Sequence, residues 1–449
     1  MDYDVIVIGA GPGGYECASL LAKQGKNVAI IEKNENQIGG TCLNEGCVPA
    51  KHYLESANYI AKKSYFKSCG VHVEAMNLDM TTLKNKKNEL IDQLRTGINS
   101  KLKKAKVITV FGTARFVSEN SIIVNEEIIS AQKFVIASGS VHRPHPLLEV
   151  DGKQIISSKE VFELEKVPTS VLIVGGGAIG CEFATFFNSI GTKVDIAEFT
   201  SQIVPAEDID VAKGLKRELE KKGISISVDT NVTEFVKNSG SVDIIMQTKK
   251  GEVKKSYELI LVSIGRAPNT SELDLEIANV KSNRGFVLTN ENLQTNNPNI
   301  YAIGDVLTTP ALAHSAYNEA SVVANNIINT STCKPLTVIP FVTFCQPQVA
   351  SVGKNEKTLK AEGIEYIAIK HFYKSSAKAK IKGDDSGFIK LLCEKESRII
   401  VGGTMMGNDT TEHIHQILIA INTKLTKEAL ANMVFAHPTL SESLWEMVK

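Results

Sequence analysis

Residues 39–51 read GGTCLNEGCVPAK, with Cys42 and Cys47 five positions apart in a glycine-flanked stretch closed by Pro49. Such a pair can bind metal, staple a fold, or open and close as a redox couple. On an ideal helix, positions five apart are rotated by ~140° and their Cα atoms are ~8.6 Å apart. A disulfide needs Cα atoms closer than about 6.8 Å, so these cysteines can meet only where the backbone leaves the regular helix. Gly46 permits that departure. Pro49 lacks the N–H that a continuous helix would aim at the Glu45 carbonyl. A structural zinc needs four ligands, yet there is no second Cys-x-x-Cys, and His413 and His415 stand as an unsupported pair. Cys17, Cys69, Cys181, Cys333, Cys345 and Cys393 are scattered singly, as suits small buried hydrophobes in a reducing compartment. The pair therefore reads as a redox couple, with zinc and unpaired core thiols as the lesser alternatives and no metal expected. A dithiol also needs a base. His437-Pro438-Thr439-Leu440-Ser441-Glu442 offers an imidazole with a carboxylate five residues on, which can orient the ring and support a neighbouring thiolate. Taken alone, a histidine there is ordinary surface.

Two elements must take the electrons onward. Residues 4–8, DVIVI, form an apolar β-branched run that suits a strand buried on both faces. Gly9-Ala10-Gly11-Pro12-Gly13-Gly14 follows, then a helical pattern over 15–23 and a second strand over 27–31 that ends at Glu32. The order recurs: a strand over 171–174, Gly175-Gly176-Gly177-Ala178-Ile179-Gly180, a helix over 181–189 and a strand over 193–197 ending at Glu198. In both copies the acid follows the first glycine by 23 positions, 32 minus 9 and 198 minus 175. Gly-x-Gly-x-x-Gly between strand and helix is a dinucleotide fingerprint: the first glycine turns the chain, the second admits the pyrophosphate, and the third lets helix pack on strand. Glu198 can accept from ribose hydroxyls and would repel a 2′-phosphate. No Lys or Arg occurs over 198–206, so the second site favours NAD over NADP. A dithiol exchanging electrons with a nicotinamide needs an intermediary, and a flavin serves. FAD and NAD are thus the expected cofactors.

The rest of the chain frames these units. Residues 81–105 are lysine-rich and read as a long exposed helix, and 107–137 as short strands. From about 336 the character changes to antiparallel strands, with helical stretches from about 410. The expected fold is α/β, with two Rossmann-like nucleotide-binding domains and a C-terminal α+β dimerisation domain. The expected divisions are 1–146 with 273–335 for FAD, 147–272 for NAD, and 336–449 for the interface. Lys+Arg and Asp+Glu are both 50 in 449 residues, so no basic field invites nucleic acid or anionic lipid. The N-terminus lacks a signal-peptide pattern and no apolar run reaches the ~18 residues of a membrane span. The expectation is a cytoplasmic protein.

GAGPGGY, GGTCLNxGC, GGGAIGCE, GRAPNT, IYAIGD and AHPTLSE together resemble the flavin-dependent pyridine nucleotide-disulfide oxidoreductases over nearly the whole chain, most of all their dihydrolipoamide dehydrogenase branch. The resemblance implies that Gly9, Gly11, Gly14 and Glu32 hold FAD, that Asp305 meets its ribityl chain, and that Ala313 lies near its ring. Thr41, Gly112 and Gly139 join the cofactor-binding set. It makes Cys42 the interchange thiol and Cys47 the flavin-side thiol. It has Lys51 approach the flavin and pair with Glu182, and Gly175, Gly177, Gly180, Glu198 and Gly265 line the NAD site. His437, held by Glu442, becomes the acid/base of the other subunit's site, which implies a homodimer. The implied reaction oxidises protein-bound dihydrolipoamide and reduces NAD⁺, with the lipoyl group on a partner from a 2-oxoacid dehydrogenase complex or the glycine cleavage system. A related reductase acting on a glutathione-like disulfide or on mercury is the alternative. Glu198 argues against the first, and the absence of any cysteine after Cys393 against the second. A non-catalytic assembly subunit or redox sensor is the remaining alternative.

Several positions depart from the family pattern. Glu45 stands where an apolar residue is usual, and a carboxylate near thiols disfavours their ionisation. Ala50 replaces a small hydroxyl residue, Phe435 replaces a histidine, and Cys345 and Gln348 stand in a segment that commonly reads Thr-x-Pro-Glu. The tail runs only seven residues past Glu442, which is expected to trim the dimer edge.

Overall fold

The computed structural model describes residues 1–329 and 332–449. The chain forms two compact units. One contains residues 1–50, 81–143 and 266–337, and the other 51–80, 144–265 and 338–449.

The first unit is built on a sheet whose parallel core runs Ile108–Phe111, Val28–Glu32, Tyr3–Ile8, Glu127–Ile136, Ile300–Ala302. Val5, Ile6, Val7 and Ile8 are each no more than 4% exposed, which is why this strand reads as an unbroken apolar run. It pairs in parallel with 28–31 on one side and 131–136 on the other. The sheet order therefore switches at its C-terminal end, where an open α/β sheet leaves a crevice. The helix that follows is Pro12–Lys23; proline sits at its first turn, where a missing N–H costs nothing. The lysine-rich stretch is indeed a helix, Met80–Lys104, but it is not exposed all round. Met80, Leu83, Lys87, Ile91 and Leu102 are buried along one face, a stripe that the intervening lysines obscure in the sequence.

The second unit repeats the arrangement. Ser170–Val174 lies between Lys193–Ala197 and Leu259–Val262, all parallel, and leads into the helix Ala178–Ser189. An antiparallel meander, Asn231–Asn238, Ser241–Thr248 and Gly251–Tyr257, follows. A five-stranded antiparallel sheet completes the unit in the order Phe341–Thr343, Gln348–Gly353, Ile400–Gly407, Phe388–Glu394, Tyr366–Phe372. The helix Thr410–Asn422 packs on it through Ile414 and Ile417.

One buried ion cluster ties this sheet to the helix Ile209–Lys221 of the same unit. Lys390, 2% exposed, places its Nζ 2.7 Å from Asp208, 2.8 Å from Asp210 and 2.9 Å from Glu356. The three carboxylates hold the ammonium well above the usual lysine range, against the opposing effect of burial. Removing one partner of a buried ion pair leaves uncompensated charge and costs about 3–5 kcal/mol. Lys390→Met should therefore lower the unfolding free energy by about 3 kcal/mol. A denaturant titration showing a loss below about 1 kcal/mol would count against that role.

Candidate active site: a dithiol segment seated on a nucleotide turn

The two glycine turns share their construction. A Cβ on Gly14 would fall 1.9 Å from the Gly9 carbonyl oxygen, and one on Gly180 would fall 2.0 Å from that of Gly175. Only glycine fits where the helix closes on the strand. The middle glycines are different. A Cβ on Gly11 would come 3.9 Å from the Gly40 Cα, and one on Gly177 would meet nothing within 4 Å. The protein itself does not require glycine at these two positions. Each sits at a helix N-terminus with its face open, which suits a pyrophosphate approaching unpaired N–H groups and the positive dipole end.

The acids at the ends of the second strands hold the turns. Glu32 accepts from the Ala10 N–H at 2.9 Å and the Lys33 N–H at 2.7 Å. Burial raises its pKa against those two bonds. Glu198 accepts from the Gly176 N–H at 2.6 Å and from the Thr200 N–H and hydroxyl at 2.7 Å each. Ala10 and Gly176 both follow the first glycine of their motifs, so each carboxylate clamps the same peptide of its turn. A carboxylate has about four acceptor sites. Two remain on Glu32 and one on Glu198 for a ribose. The expectation of a carboxylate devoted to ribose omitted this structural half of its work.

The cysteine segment lies against the first turn. Gly39 donates its N–H to the Ala10 carbonyl at 2.9 Å. Gly40 approaches so closely that a Cβ on it would fall 2.6 Å from the Gly11 Cα. Cys42 lies in the short helix Gly40–Asn44, and Cys47 begins the helix Cys47–Ala61. The chain breaks helix at Glu45 and Gly46 and folds back. A Cβ on Gly46 would stand 2.9 Å from the Thr41 carbonyl oxygen and 3.5 Å from the Cys42 Cα. The break therefore returns the residue before Cys47 to the vicinity of Cys42. Pro49 falls in the first turn of the second helix, where its missing N–H is harmless. Asn44 stitches the short helix by donating to the Ile38 and Gly40 carbonyls, and accepts from Arg95 at 2.8 Å.

Arg266 of GRAPNT went without a role in the sequence. Its guanidinium donates to the Ser140 hydroxyl at 2.7 Å and the Ser140 carbonyl at 2.6 Å, and reaches the Thr41 hydroxyl at 3.4 Å. Ser140 in turn donates to Asp305 at 2.5 Å. Burial lowers the Arg266 pKa, while Asp305, Glu45 and Cys47 pull it back up, so the cation lies within electrostatic reach of all three. Glu45 also accepts from the Gln37 amide at 3.1 Å. Ala313 starts the helix Ala313–Ile328. Gly139 has φ +72° and open space around it, as has Gly265 at φ +104°, whereas Gly112 packs on Asn125.

In the second unit, Lys51 places Nζ 3.0 and 3.1 Å from the two Glu182 oxygens and 4.5 Å from the Phe344 ring centroid. Glu182 also accepts from the Phe344 N–H at 2.9 Å. His437 Nδ1 donates to Glu442 Oε1 at 2.8 Å, and the other carboxylate oxygen accepts from the Thr439 N–H at 2.7 Å. The His437 bond, followed by that from Thr439, holds the Glu442 carboxyl below its ordinary pKa. The imidazole itself is 72% exposed.

Two family models match the chain: pyridine nucleotide-disulphide oxidoreductase over residues 3–320, and its dimerisation domain over 339–448. A dihydrolipoyl dehydrogenase of Bacillus subtilis is 34% identical over 98% of this chain and 96% of the relative. The human mitochondrial dihydrolipoyl dehydrogenase is 33% identical over 99% and 90%. Among solved structures, the HOCl-induced flavoprotein disulfide reductase RclA from Escherichia coli superposes with a TM-score of 0.89 at 25% identity, covering 99% of both chains.

Two substitutions probe the site. Gly177→Ala should leave stability within about 0.5 kcal/mol and weaken NAD binding by at least about tenfold. An unchanged affinity by calorimetry would show that the open face is not the pyrophosphate path. Glu45→Val removes an anion near the thiols. It should speed iodoacetamide alkylation of the reduced protein at neutral pH by about threefold, and an unchanged rate would show that its charge does not reach them.

Proposed function

The chain belongs to the pyridine nucleotide-disulphide oxidoreductase family, whose cofactors are FAD and a pyridine nucleotide, and from that premise we propose that it oxidises protein-bound dihydrolipoamide and reduces NAD⁺. The match to the dimerisation domain supports a homodimer. The observation that carries the finer reading is the His437–Glu442 pair at 2.8 Å on an exposed turn, in a chain that also carries the Cys42–Cys47 segment. The names of the relatives support the same branch.

The proposed chemistry begins with the couple oxidised. His437 of the partner subunit takes the proton of a substrate thiol through Nε2, because Glu442 holds the proton on Nδ1. The substrate thiolate attacks the Cys42 sulfur, the Cys42–Cys47 bond breaks, and a mixed disulfide forms with Cys47 as leaving thiolate. The second substrate thiol gives up its proton to the departing Cys42 sulfur as it attacks the mixed disulfide, which frees Cys42 as a thiol and closes the lipoyl ring. Two electrons now reside on the two cysteines. Arg266 lies in position to favour the Cys47 anion. Gly9, Gly11, Gly14 and Glu32 would hold FAD, assisted by Thr41, Gly112, Gly139, Asp305, Ala313 and Lys51. Gly175, Gly177, Gly180, Glu198 and Gly265 would hold NAD, and Glu182 would pair with Lys51. When bound, FAD supplies the two-electron relay between dithiol and nicotinamide. The lipoyl group would come from a 2-oxoacid dehydrogenase complex or the glycine cleavage system. Among the described residues no helix is long and apolar enough to cross a membrane.

The purified flavoprotein should reduce NAD⁺ with dihydrolipoamide. Cys42→Ser and His437→Ala should each lose at least about 100-fold in kcat with FAD still bound. No turnover by the wild-type flavoprotein would reject the dihydrolipoamide reading, and near-wild-type turnover of His437→Ala would reject the base.

A further inference from the structure

Phe435 stands where the resemblance expects a histidine, and in the sequence it reads as a lost polar neighbour. The structure gives it a partner. The rings of Phe435 and Trp445 stack with centroids 6.4 Å apart and planes within 19°. The Trp445 Nε1–H donates to the Ala431 carbonyl at 3.0 Å, and the Lys449 ammonium lies 3.3 Å from the indole centroid. Trp445 belongs to the helix Glu442–Glu446, three positions after the carboxylate that holds His437. Neighbours three apart lie on one side of a helix. The indole therefore fastens the Glu442 helix to the chain on the other side of the turn, two residues before His437 and again at Ala431.

The back of the turn is tied separately. Ser441 accepts from the Gln416 amide at 2.7 Å and shares a hydrogen bond with His413 Nδ1 at 3.0 Å. The charge nearest the imidazole is the Glu442 carboxylate. Glu446, on the same helix, faces His371 at 3.5 Å. The Lys449 ammonium faces the indole.

We propose that Trp445 is a positioning residue for His437. The Phe435–Trp445 stack sets the register of the Glu442 helix against the imidazole, keeps the proton on Nδ1 and leaves the Nε2 lone pair facing outward. The catalytic half of this inference rests on the reading of His437 as the base; the structural half does not.

Trp445 is the only tryptophan in the chain, so its emission reports on the stack. The test uses the FAD-loaded dimer labelled with ¹⁵N-histidine, in wild type and in Trp445→Leu, Trp445→Phe and Phe435→Leu. His437 is assigned by its disappearance in His437→Gln. Wild type and Trp445→Phe should show His437 as the single Nδ1–H tautomer. Trp445→Leu and Phe435→Leu should show a tautomer mixture, and Phe435→Leu should also red-shift the tryptophan emission. In the dihydrolipoamide assay, Trp445→Leu should lower kcat about tenfold with KM within about twofold, and Trp445→Phe should recover most of it. A single Nδ1–H tautomer in both leucine variants would overturn the proposal. Should Trp445→Leu not fold, an unaltered tautomer and emission in Phe435→Leu would overturn it alone. Mixed tautomers with no dihydrolipoamide turnover even in wild type would sustain the positioning and reject the reaction.

Discussion

The first unit depends on how closely two glycines can approach. Gly40 presses on Gly11 so tightly that a single methyl group would fall 2.6 Å from the opposing Cα. Because Gly40 has no side chain, the peptide that opens the dithiol helix rests on the peptide that opens the nucleotide helix. The hydrogen bond from Gly39 to Ala10 locks the register of this contact. The position of Cys42 relative to the turn is thus set by backbone alone, with no flexible side chain between them. Such a joint suits chemistry in which reacting atoms must be held within a few tenths of an ångström.

Electrostatics is arranged around the same joint with few charges. Glu32 reaches back to the turn it follows, and Arg266 stands beside Thr41 with Asp305 and Cys47 in its field. Half-burial strengthens each of these interactions by lowering the local dielectric. Glu45, unusual for the family, shares that field and the Gln37 amide. An acid between the cysteines is therefore held by an amide and within the field of a cation.

Legibility in the sequence follows physical range. The buried strands announce themselves because burial on both faces demands unbroken β-branched runs. The glycine turns do so because no other residue fits Gly14 or Gly180. The helix break between the cysteines was foreseeable from their spacing and Gly46. What escaped was tertiary. Arg266 finds Ser140 and Thr41 across 126 and 225 residues, and nothing local marks such a partnership. The buried stripe of Met80–Lys104 hid behind lysines. The clamping of Ala10 and Gly176 by the strand-end acids escaped because a motif describes what a residue offers a ligand, not what it gives its own backbone. Phe435 escaped for a similar reason: it departs from a pattern, and its compensation lies ten residues further on.

The Lys390 cluster has a consequence for how this chain can change over evolutionary time. Its ammonium comes from the C-terminal sheet and two of its three carboxylates from residues 208 and 210. The two segments are thereby bound to a shared inheritance. A recombination that exchanged residues 338–449 for those of a relative without the lysine would strand Asp208 and Asp210 against one another. The opposite exchange would leave the buried cation with Glu356 alone. These regions look separable by motif and by sheet, yet they can drift apart only by changing both sides together.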